Sequence, residues 1–113
     1  MTAITYLILN TDGSIETKSG VLGVKDAQDI LGSDFEMLPE PPGLPITLIA
    51  STEGKSRGDN PNWGATRLIR NSLRAGDFVA GKVIVTGAPN AAGDLTALTV
   101  KDEQEMRNRI STK

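Results

Sequence analysis

One segment constrains this chain more than any other. Pro45-Ile46-Thr47-Leu48-Ile49-Ala50 is a mostly apolar run of strand length, and it breaks at once into the polar, glycine-punctuated Ser51-Thr52-Glu53-Gly54-Lys55-Ser56-Arg57-Gly58-Asp59-Asn60-Pro61-Asn62-Trp63-Gly64. A short apolar run with β-branched residues needs a sheet around it. The polar stretch that follows holds the only tryptophan, and exposed loops carried by a rigid scaffold are where binding residues concentrate. A second run, Val79 to Val85, has the same character, with Gly81 as a bulge or a point of close packing. These two runs are the expected core strands, and the polar segment between them is the one candidate site.

The 113 residues suit a single domain, 1–113, with a core over about 4–98 and a C-terminal helix over about 100–110. Aromatic residues make up only 4%, so the core must be built from Ile, Leu, Val and Ala. Cysteine and histidine are both absent, which removes disulfides, thiolate metal sites, cysteine nucleophiles and the commonest base and metal ligand. A net charge of -2 argues against non-specific capture of nucleic acid, which calls for a basic face. No apolar run approaches the roughly 18 residues of a membrane span, and the opening residues lack the basic leader of a secretion signal. The expected location is the cytoplasm.

Ala3 to Leu9 reads as a strand, Asn10-Thr11-Asp12-Gly13 as a turn, and Ser14 to Lys18 as a returning strand exposed on one face. Val24, Ala27, Ile30 and Leu31 recur at helical spacing before Gly32, which predicts a helix over about 25–31. Phe35 to Leu38 is a brief strand that ends at Pro39-Glu40-Pro41-Pro42-Gly43. Ala65, Leu68, Ile69, Ser72 and Leu73 favour a helix capped by Asn62 and stopped by Gly76, with a strand over 65–69 as the alternative. After a turn at Ala88 to Asp94, Leu95 to Leu98 reads as an edge strand. Thr99-Val100-Lys101-Asp102 resembles a capping box opening a C-terminal helix whose apolar stripe, Val100, Met106 and Ile110, is thin. The interleaving predicts an α+β fold, a mainly antiparallel sheet with two or three short helices packed on one face.

Gly54-Lys55-Ser56 has the look of a phosphate cradle, but a Walker loop needs a glycine where Ile49 stands. Over 53–74, the cations Lys55, Arg57, Arg67, Arg70 and Arg74 outnumber Glu53 and Asp59 by three, although the whole chain is acidic. On a helix, Arg67, Arg70 and Arg74 would form one stripe able to meet phosphates or an acidic partner, or simply a solvated face. Trp63 can anchor an interface, stack on a ligand ring or cap the core. Glu53 and Lys55 would share a face of an extended strand, as a base and an electrophile or as a surface ion pair. The acids Asp26, Asp29, Asp34 and Glu36 match no calcium loop and read as solvated surface. No metal or cofactor is expected.

The order of these pieces resembles a family of small phage and mobile-element proteins, domain-of-unknown-function family 3846. The resemblance rests on the Asp12-Gly13 turn, a short helix with Gln28, the acidic strand Phe35-Glu36-Met37 and an apolar strand entering Glu53-Gly54-Lys55. It continues through Pro61-Asn62 with Ala65-Thr66 and the run Gly81-Lys82-Val83-Ile84-Val85-Thr86-Gly87, spanning about residues 4–98. The chain departs from the family pattern at Gly32-Ser33, where a Gly-Gly turn is usual, and in its more polar Arg57 to Asn60. The family carries no assigned activity. The resemblance implies a phage accessory gene acting on a host factor, a nucleotide signal or phage physiology, which would place the protein in the host cytoplasm. Combined with the residue pattern, the expected function is non-catalytic binding of a host macromolecule through Glu53, Lys55, Arg57, Asn62, Trp63, Arg67 and Arg70. The alternative is binding or sequestering a nucleotide, with Lys55, Arg57 and Asn62 facing a pocket. Exposed edge strands leave room for a homodimer.

Overall fold

The computed structural model describes residues 3–111. The first hairpin pairs β1 (Ile4–Leu9) with β2 (Ile15–Gly20), and Asp12 supports its turn by accepting the N–H and hydroxyl of Ser14. Helix α1 (Val24–Leu31) follows, its start fixed by the Asp26 carboxylate, which accepts the Gly23 N–H at 2.8 Å. The short β3 (Phe35–Met37) leads through the prolines to β4 (Ile46–Ser51). Two short helices, α2 (Gly54–Arg57) and α3 (Trp63–Leu68), then a 3₁₀ turn at Arg70–Ser72, connect to β5 (Val83–Gly87); α4 (Val100–Ser111) closes the described chain. The five strands form one antiparallel sheet in the order β2-β1-β5-β4-β3.

Alternation along the strands divides the core in two. Leu7, Leu9, Ile46, Leu48, Ala50, Val83 and Val85 face α3 and α4, meeting Ala65, Leu68 and Met106. Tyr6, Ile8, Ile49 and Ile84 point the other way, toward Ala27 and Leu31 of α1. The expected α+β architecture is present, with one correction: α3 and α4 share a face as expected, but α1 covers the opposite face. The reason lies in β1, β4 and β5, which are apolar on both sides and so must be covered on both.

Three local expectations change. The strand read from Val79 begins only at Val83, because Gly81 turns the chain with φ 85° and Ala80 instead bridges to Pro61. Residues 95–98 form no strand, although the Leu98 N–H donates to the Thr5 carbonyl at 3.1 Å and so ties the segment to β1. The helix at Ala65 is confirmed over the strand alternative but stops at Leu68. At the C-terminal helix, Thr99 accepts the Asp102 N–H as a cap, Met106 is fully buried, and Val100 is left exposed outside the packed stripe.

Candidate functional site

Directly after β4 the backbone coils into α2, and the first cause is a hydroxyl: Ser51 Oγ accepts the Glu53 N–H at 3.0 Å. The turn is pressed so closely on the following crossover that a Cβ at Gly54 would stand 2.6 Å from the Ala80 carbonyl oxygen. Only glycine fits there. Because residues 54–57 are helical, Glu53 and Lys55 do not share a face as they would on a strand. Both are exposed.

Asn62 is the fastener of the region. It is buried, its Nδ2 donates to the carbonyls of Leu9 and Gly81 at 2.9 Å each, and its Oδ1 accepts the Ala65 N–H as the N-cap of α3. Thr66 completes the knot: its hydroxyl donates to the Asn62 carbonyl at 2.7 Å and accepts the Val79 N–H at 2.9 Å. Asn62 thus joins β1, the Gly81 turn and α3, and has no polar atom left for a ligand.

The arginines go different ways. Arg57 reaches back to α1 and donates to the carbonyls of Leu31 and Gly32 at 3.1 and 3.0 Å, satisfying the end of that helix. Its pairing with Asp59 raises the guanidinium pKa still further. Arg67 donates to the Ile110 carbonyl at 2.9 Å, near the end of α4. Arg70 lies in the 3₁₀ turn and is exposed, as is Arg74 beyond it. Since α3 ends at Leu68, the three-arginine stripe of one continuous helix does not form.

What the fold does assemble is an aromatic and charged row. Trp63, the first residue of α3, is 53% exposed, and its ring centroid lies 6.1 Å from that of Phe78 at a tilt of 52°. The Lys55 ammonium sits 5.0 Å from the centre of the Phe78 ring and pairs with the Asp77 carboxylate. That Lys55 contact, followed by the Phe78 N–H at 2.8 Å, holds the Asp77 carboxyl below the usual carboxylate range. Asp77 and Phe78 were not picked out from the sequence. The available signal was only that Phe78 is one of two phenylalanines, and its meeting with Trp63 is set by the crossover that brings Val79 beside Asn62.

Of the expected site residues, then, Lys55 and Trp63 come together through Phe78. Arg67 and Trp63 line a hollow of about 330 Å³ with Asp12 and Ile110, apart from the Lys55 hollow. Lys55, Arg57 and Asn62 do not converge: they line three separate hollows. Among the described residues no three potential metal ligands gather, and no helix is long and apolar enough to cross a membrane.

The fold and this surface define a small α+β protein that displays a braced tryptophan flanked by cations. A family model described as a domain of unknown function, DUF3846, matches residues 4–111, and the chain belongs to that family. No curated protein and no solved structure matches it.

Proposed function

We propose that this protein is a non-catalytic accessory protein of phage type that works in the host cytoplasm by binding a host protein through the Trp63 surface within Glu53 to Arg74. The observation that carries the reading is the exposure of an indole that is nonetheless braced, by its place as the first residue of the capped helix α3 and by Phe78 beside it. A preordered tryptophan loses little conformational entropy when a partner covers it, and interface energy concentrates in such anchors. Lys55, Arg67 and Arg70 would then meet acidic groups at the rim of the partner's pocket. Arg57 and Asn62 support the surface from behind. Affinity capture from host lysate tests this: the native protein should retain a specific protein that Trp63→Ala loses while its far-UV circular dichroism stays native. Capture of nothing specific by a folded native protein counts against the reading.

The alternative, a nucleotide binder, draws support from the hollow between Trp63 and Arg67, where an indole and a guanidinium flank a space at the lower end of ligand-pocket size. A nucleotide present at 100 times its dissociation constant would add about 2.7 kcal/mol of stability. Absence of any thermal shift across a nucleotide panel rejects it.

A further inference from the structure

The two edges of the sheet differ in kind. On one side β3 is three residues long and runs into a proline-rich segment, which ends pairing quickly. On the other, β2 presents six residues, contains no proline and, among the described residues, pairs only with β1. The phase of its hydrogen bonding follows from the turn, where the Asn10 N–H donates to the Ser14 carbonyl at 2.9 Å. In an antiparallel ladder, hydrogen-bonded and non-hydrogen-bonded pairs alternate. In the observed register, Glu16 and Lys18 therefore turn their backbone groups toward Ile8 and Tyr6, whereas Ile15, Thr17 and Ser19 turn theirs to the free edge.

Charge along this edge is self-complementary. Glu16 and Lys18 lie on the same face of β2, with carboxylate and ammonium 3.6 Å apart, and both side chains are nearly half exposed. We propose that β2 is the site at which a second copy of this chain pairs, antiparallel about a two-fold axis at Thr17, joining two five-stranded sheets into one. In that register Thr17 faces its own counterpart and Ile15 faces Ser19 of the other copy, both as hydrogen-bonded pairs through the outward groups. Glu16 then faces Lys18 of the other copy, and the symmetry makes the same contact twice.

These charged pairs fall at non-hydrogen-bonded positions, where antiparallel neighbours approach most closely, at about 4.5 Å between Cα atoms. Slipping by two residues either way, which the outward backbone groups would tolerate, sets Glu16 against Glu16 or Lys18 against Lys18. Charge therefore selects the register. A lysine alone on an edge strand repels a second edge and is a common guard against pairing. With a glutamate two residues away it becomes half of a reciprocal contact, and the edge favours its own kind.

Sedimentation equilibrium over a range of concentrations tests the pairing. The native chain should show a reversible dimer. Lys18→Glu or Glu16→Lys, each of which sets like charges opposite one another, should weaken it by about tenfold or more. Mixing the two single variants should restore association as a heterodimer, and the double exchange Glu16→Lys with Lys18→Glu should restore the homodimer. Thr17→Pro removes an outward N–H without touching the bonds to β1 and should abolish the dimer. A native chain that stays monomeric throughout overturns the proposal, as does a dimer that tolerates the single charge reversals.

Discussion

Replacing Asn62 with alanine would strand the carbonyls of Leu9 and Gly81 inside the protein and remove the cap of α3 in one step. Buried carbonyls left unpaired and a lost N-cap together should cost about 2–4 kcal/mol, read as a lower urea midpoint with an unchanged slope. Trp63→Ala, by contrast, gives up one tilted aromatic contact on a half-exposed face and should change stability far less. This separates the residue that holds the surface together from the one that displays it. Asp77 supplies a pH dependence of known sign. Its folded pKa is depressed by Lys55, so its contribution is fully present above the unfolded value of about 4 and is lost as pH falls through the lower folded value. Asp77→Asn should therefore flatten the acid limb of a plot of thermal midpoint against pH, leaving less difference between neutral and strongly acidic solution than the native chain shows.

At the scale of elements, α4 decides how firmly the Trp63 surface is held. Its stripe is thin by sequence, yet Met106 is completely buried in the core it shares with the sheet and α3, and the C-terminal end of the helix is tethered twice. Arg67 donates to the Ile110 carbonyl, and Arg109 donates to the Pro42 carbonyl at 2.6 Å. Pairs at i, i+4, Glu103 with Arg107 and Glu105 with Arg109, add a little local support. Met106→Ala should cost about 2–5 kcal/mol by cavity formation, measured by chemical denaturation, and should release α4 from α3. The thinness of the stripe was readable in the residues. That a single methionine would carry the docking was not, because the core cluster it joins is drawn from distant parts of the chain, Leu7, Val85 and Leu98 among them.

The molecule as a whole is a sheet covered on both sides, with a charged edge at β2 and an aromatic row at the crossover into β5. Periodicity and turn chemistry determined the hairpin, α1, β3, β4, the cap at Asn62 and the start of α4, since each is decided by neighbours within a few residues: alternation sets strand faces, and glycine, asparagine or threonine sets an end. The same local signals marked Glu53 to Trp63 as the segment where chemistry could lie. They could not say that Arg57 would close α1, that Asn62 would be buried, or that Phe78 would stand beside Trp63. A polar side chain's use depends on which carbonyl, ring or carboxylate arrives next to it, and residues 15 to 53 positions apart make those contacts here. The residues alone determined which segments could form strands and helices; only the tertiary structure decided which polar groups hold the fold together and which remain free to meet something else.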